Sequence, residues 1–131
     1  MTRDQLQRYL WLQKNNLWLK EKIEELKAEA EGVSVKLKKD SVKSTSIEHD
    51  KMAYAVARMV DLQRELESGK EQAAEVLDKI EKSIVNIDPR LKHLIRRRYI
   101  DGERLNVISS EIGISDRQLR RLHTKAIELI W

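Results

Sequence analysis

Ser115, Asp116, Arg117 and Gln118, followed by Arg120, Arg121, Thr124 and Lys125, are the densest run of chemically active side chains in this 131-residue sequence. The arginines are planar forks of donors matched to pairs of acceptors, and Lys125 adds a point charge. Gln118 carries donor and acceptor on one amide, and ionised Asp116 only accepts. Such a set suits recognition of phosphates and of flat, acceptor-rich groups. Bond-making chemistry has little to draw on. There is no cysteine, and His49, His93 and His123 stand far apart without a closely spaced acidic partner. An enzyme is not expected, and no cofactor or resident metal is expected. Disulfides are excluded, which is compatible with a reducing cytoplasm.

The charge is unevenly placed. From Pro89 onward there are ten Lys or Arg against five Asp or Glu, whereas residues 1–88 hold sixteen against seventeen. The whole excess of the net +4 therefore lies in the last third, as expected for a polyanion-binding end on a near-neutral scaffold.

Those side chains must be positioned by helices. Charged residues make up 37% and aromatics 5%, with no Phe, four Gly and one Pro, a composition suited to long helices with narrow apolar seams. An all-α fold is expected. Residues 2–31 read as a first helix, because Tyr9, Leu12, Asn16, Leu19, Ile23, Leu26 and Ala30 recur at alternating steps of three and four. Leu6, Leu10 and Leu17 broaden that face, and Trp11 and Trp18 lie seven apart on another. Asn16 on the seam is either a buried register-setting amide or a solvated edge residue. Residues 32–46, rich in Ser and Lys, read as a loop. A second helix is expected from about Ile47 to Ile87 on Met52, Ala55, Met59, Leu62, Leu66, Ala73, Val76, Ile80, Ile84 and Ile87. Gly69 marks a kink or break there, since one interior glycine costs about 1 kcal/mol. A rod of that length needs the first helix folded back on it, a second copy, or both. This gives residues 1–88 as a helical coiled-coil hairpin and oligomerisation stalk, and a homodimer through those helices.

Asp88 and Pro89 punctuate the chain as N-cap and first helical residue. Beyond them lie three short helices. The first covers about 89–100, with Leu91, Leu94, Ile95 and Tyr99 inward and Arg96, Arg97 and Arg98 largely outward. Asp101-Gly102 is a turn. Leu105, Ile108 and Ile112 form the second helix, closed by Gly113. Ser115-Asp116-Arg117-Gln118 is a capping box that opens the third, over 116–130, with Leu119, Leu122, Ala126 and Ile130 buried. The histidines are expected at the surface or on a motif helix; a phosphate contact is the lesser alternative for His123. A short helix, a Gly-containing turn and a capped helix make a helix-turn-helix, so residues 89–131 are expected to be a DNA-binding domain whose third helix enters the major groove. Asp116, Arg117, Gln118 and Arg121 are the candidate base contacts. Arg96, Arg98, Arg120, Thr124 and Lys125 are the candidate phosphate contacts.

The segments Leu94-Ile95-Arg96-Arg97-Arg98-Tyr99, Leu105 through Ile108 to Ile112-Gly113-Ile114-Ser115, and Arg120-Arg121-Leu122-His123-Thr124-Lys125-Ala126 resemble the fourth conserved region of bacterial sigma factors, which binds promoter −35 elements. Nearly the whole chain is similar to small regulators of Gram-positive phages and prophages of the ArpU and RinA kind, most tellingly over Asp50 to Leu62 and in the Arg-Leu-His-x-Lys-Ala of 121–126. The resemblance implies base contacts at Asp116, Arg117 and Arg121, and phosphate contacts at Arg96, Arg98, Arg120 and Lys125. Asp116 and Arg117 replace a usual Arg and Glu, so −35 specificity is not carried over. Arg104 stands where a capping Ser or Thr is usual. With no counterpart of the sigma regions that melt DNA, the expectation is a transcriptional activator or repressor of phage or prophage genes, working on double-stranded DNA in the host cytoplasm. No membrane partner is expected, because no stretch of about 18 apolar residues exists. The rival readings are a phage DNA-packaging protein like a small terminase subunit, and a coiled-coil adaptor whose bundle binds RNA polymerase.

Overall fold

The structure, a computed structural model, describes the backbone of residues 1–39 and 45–131 and the side chains of 1–32, 47 and 49–131. It is all-α, with no strand among the described residues. The helices are α1 (Arg3–Lys39), α2 (Thr45–Ser83), α3 (Pro89–Ile95), which continues as a wider turn over Arg96–Ile100, α4 (Leu105–Ile112) and α5 (Asp116–Ile130).

The expected loop over 32–46 shrinks from both sides. Helix α1 runs on to Lys39, and α2 begins at Thr45. Residues 40–44 of that loop lie outside the described residues. Gly32 does not stop α1 because extending an existing helix adds one hydrogen bond per residue fixed, which offsets a single glycine. Helix α2 ends at Ser83, four residues short of the expected Ile87, where the Ser83 hydroxyl donates to the Ile80 carbonyl at 2.7 Å.

Packing divides the chain elsewhere than at Asp88. One compact unit is Lys14–Lys70, and the other joins Met1–Gln13 to Glu71–Trp131. In the first, Leu19, Ile23 and Leu62 are buried, with Leu26, Met59 and Leu66 packed around them. Gly69 does not break α2; it fills the step between Leu66 and Ala73 and is itself buried. A Cβ built on Gly69 would fall 2.1 Å from Asn16 Oδ1 and 3.1 Å from its Cγ, so the glycine exists to admit that amide. Asn16 is accordingly 7% exposed, the buried alternative of the sequence reading. Neither its Nδ2 nor its Oδ1 has a hydrogen-bond partner among the described residues.

In the second unit, Leu6 and Tyr9 of α1, Ala73, Val76 and Ile80 of α2 and Ile84 just beyond it share one core with Leu91, Ile95, Tyr99, Ala126 and Ile130. The segment 89–131 is therefore not a self-contained body. Its three short helices bury Leu94, Ile108 and Leu119 among themselves but leave a second apolar face that α1 and α2 close. Each large apolar side chain so buried contributes about 1.5–3 kcal/mol.

Candidate nucleic-acid interface

The local signals that shape the end of the chain are all formed. Asp88 caps α3, its Oδ1 accepting from Arg90 N–H at 2.8 Å, which holds the Asp88 carboxyl below the usual carboxylate range. Gly102 (φ +75) reverses the chain after α3, and Glu103 N–H closes back on the Arg97 carbonyl at 3.0 Å, as in a glycine-terminated helix. Arg104 starts α4 with no side-chain cap, and the Val107 and Ile108 N–H groups both bond its carbonyl at 3.1 Å. Gly113 (φ +81) ends α4, and the Ser115–Gln118 capping box begins α5.

Between α4 and α5 a further bond fixes the turn. Ser109 is 5% exposed, and its Oγ lies 2.5 Å from Asp116 Oδ1. A carboxylate in the first turn of α5 also complements the positive end of the helix dipole. The polar face of α5 is thus presented on a helix tied at its leading end, while Leu119, His123, Ala126 and Ile130 are buried beneath it.

Arg117, Gln118, Arg120, Arg121, Thr124 and Lys125 are all exposed on that face. Arg117, Arg120, Arg121, Thr124 and Lys125 line one shallow cleft together with Glu128. A second cleft is lined by Arg90, Ile114, Gln118, Arg121, Leu122 and Lys125. Arg90 carries no signature of this role in the sequence. Nothing local identifies it; only the packing of α3 against α5 brings the two helices together. Among the described residues, Arg117, Arg120, Arg121 and Lys125 make no ion pair.

The arginines of the wider turn that follows α3 are disposed differently. Arg96 donates to Glu81 from Nη2 at 2.6 Å and from Nε at 3.0 Å, and this hydrogen bonding holds the Glu81 carboxyl below its ordinary range. Arg97, expected outward, is half-buried and donates to Glu111 at 2.6 Å and to Asp101 at 3.0 Å. Arg98 Nη1 donates to the Glu103 carbonyl at 3.1 Å. Arg96 and Arg98, the side chains of this turn expected to meet phosphates, therefore both have partners inside the chain.

His123 lies on the motif helix, as expected, but under it and not at its surface. Its ring is 7% exposed and its Nε2 lies 2.6 Å from the Tyr99 hydroxyl, with the two rings stacked. Burial, reinforced by the charges of Arg3 and Arg98, lowers its pKa to about 4. A neutral imidazole hydrogen-bonded to Tyr99 under α5 cannot reach a phosphate. Burial also raises the Tyr99 phenol above its usual range, so the pair stays neutral near pH 7. The arc Leu119, His123, Ala126, Ile130 was the available signal, at steps of four, three and four.

No group of three His, Asp or Glu side chains gathers to hold an ion among the described residues, and no helix among them is long and apolar enough to cross a membrane. Compared with protein-family models, with curated proteins and with solved structures, the chain finds no match.

Proposed function

We propose that the protein is a transcriptional regulator of phage or prophage type that binds double-stranded DNA by placing the leading turns of α5 in the major groove. One observation carries the reading. Arg117, Arg120, Arg121 and Lys125 stand exposed on one short helix without an ion pair, whereas Arg96 and Arg97 in the same bundle are neutralised by Glu81, Glu111 and Asp101. Cations gathered in this way repel one another, and a phosphate backbone relieves that repulsion while releasing its counterions.

Titration of the whole protein against labelled duplex tests this. With about four phosphates neutralised, affinity is expected to fall roughly a hundredfold between about 50 and about 200 mM salt. Arg120→Ala with Lys125→Ala should flatten the logarithmic salt slope by about 2 and weaken all duplexes alike. Absence of binding at the lower salt, or a flat salt response, defeats the reading.

We also infer that the protein acts as a homodimer. The seams of α1 and α2 are covered within each unit, so this rests on what remains. Within residues 14–70, Leu17, Trp18, Tyr54, Val56 and Val60 are exposed, and helix-turn-helix proteins commonly read paired half-sites as dimers. Sedimentation at micromolar concentration is expected to give twice the 15.4 kDa chain mass. A monomer removes the inference, and a ring of many copies would favour DNA packaging over regulation.

A further inference from the structure

Four side chains at the start of α5 have the chemistry to read bases: Asp116, Arg117, Gln118 and Arg121. The structure separates them into two pairs. Asp116 Oδ1 is 2.5 Å from the buried Ser109 hydroxyl, holding the first turn of α5 to α4. Gln118 is turned back onto the helix start, its Oε1 accepting from Ser115 N–H at 3.3 Å while its backbone N–H donates to Ser115 Oγ at 3.2 Å. Bidentate reading of adenine needs both ends of that amide, and reading of cytosine by Asp116 needs a carboxylate turned to the groove. Asp116 Oδ1 and Gln118 Oε1 are already engaged in bonds that shape the turn. Arg117 and Arg121 carry no such duty: both are exposed, and neither side chain has a hydrogen bond or ion pair among the described residues.

We propose that Arg117 and Arg121 are the base-reading pair and select a half-site with two guanines, and that Asp116 and Gln118 are positioning residues that read nothing. This rests on the DNA-binding reading above. Arginine pairs both its forks with guanine O6 and N7, the commonest specific major-groove contact. Four residues of helix rise about 6 Å and stacked bases about 3.4 Å. The two guanines should therefore lie within about two base pairs of each other.

The test is selection of bound duplexes from a random pool with the full chain, repeated with Arg117→Lys, Arg121→Lys, Asp116→Asn and Gln118→Ala. Lysine keeps the charge and loses the fork, so each Arg→Lys variant should still bind the unselected pool. Each should lose its preference for one guanine, a discrimination of roughly 5- to 150-fold. Asp116→Asn keeps an acceptor for Ser109, and neither it nor Gln118→Ala should change which bases are selected. An enriched motif without the two guanines, guanines indifferent to Arg→Lys, or a base preference that vanishes in Asp116→Asn or Gln118→Ala overturns the proposal. Duplex binding with no enriched motif overturns it too but leaves DNA binding intact. Failure to bind any duplex at low salt removes both.

Discussion

Between about pH 6.5 and pH 4 the protein is expected to lose roughly 2–3 kcal/mol of stability through a single side chain, His123. Burial is the main cause of its depressed pKa, with Arg3 and Arg98 adding repulsion. The unfolded chain takes up a proton on this ring near pH 6.5, and the folded chain resists until about 4. Unfolding therefore binds a proton throughout that window, and stability falls as pH falls. Above pH 6.5 the contribution is complete; below 4 both states are protonated and the loss stops growing. Carboxylates titrate in the same region, so the measurement is a difference. Urea midpoints of wild type and His123→Leu, taken from pH 7 to pH 4, should converge as the pH drops. Parallel curves would mean that the imidazole titrates alike in both states. Tyr99→Phe should weaken the fold at neutral pH, because it leaves Nε2 buried without its 2.6 Å partner.

The second large effect is a reversal of sign at Gly69. Alanine in a helix interior normally gains about 1 kcal/mol over glycine. In the wild-type background Gly69→Ala should instead destabilise, because the new Cβ meets Asn16 Oδ1 at 2.1 Å and its Cγ at 3.1 Å. Rotating the amide about its last bond moves the oxygen but not the Cγ. With Asn16→Ala already in place the same change should stabilise by about 1 kcal/mol. The double variant should exceed wild type by roughly 1–3 kcal/mol, since two buried amide atoms without partners are gone as well. Thermal or urea unfolding of the four proteins closes the cycle. Equal effects of Gly69→Ala in both backgrounds would place the amide elsewhere. An interior glycine and an unsatisfied amide are each unfavourable, yet together they fit at only one alignment of α1 on α2. That is how a lone asparagine sets register at a cost in stability.

Local rules carried much of this architecture. Steps of three and four placed Tyr9, Asn16, Leu19, Ile23 and Ala30 on the buried side of α1, and Ala55, Leu62, Val76 and Ile80 on that of α2. Gly113, Ser115 and Asp88 punctuate the bundle through bonds to near neighbours, which is why their sequence signatures sufficed. What escaped involves residues far apart in the chain. Glu81 and Arg96 are 15 positions apart, Arg97 and Glu111 are 14, and Tyr99 and His123 are 24. Each depends on the facing of two elements, which no window of a dozen residues contains. Hence the arginines of 96–98 read alike from sequence and were lodged with internal partners by the fold. His123 was disguised by its neighbours Arg121, Thr124 and Lys125, though its angular position on α5 is that of Leu119. Gly69 misled for the opposite reason: its intrinsic penalty is local, and the amide that accommodates it is contributed by α1.

The shared core of Leu6, Tyr9, Ala126 and Ile130 has a consequence for how the chain comes to be folded. Leu6 leaves the ribosome 120 residues before Ala126, so its apolar face has no permanent cover during almost all of synthesis. Closing so long a loop is slow compared with winding the individual helices. The C-terminal bundle should therefore mature only after its last helix has been made, and a nascent or truncated chain should be a client for chaperones.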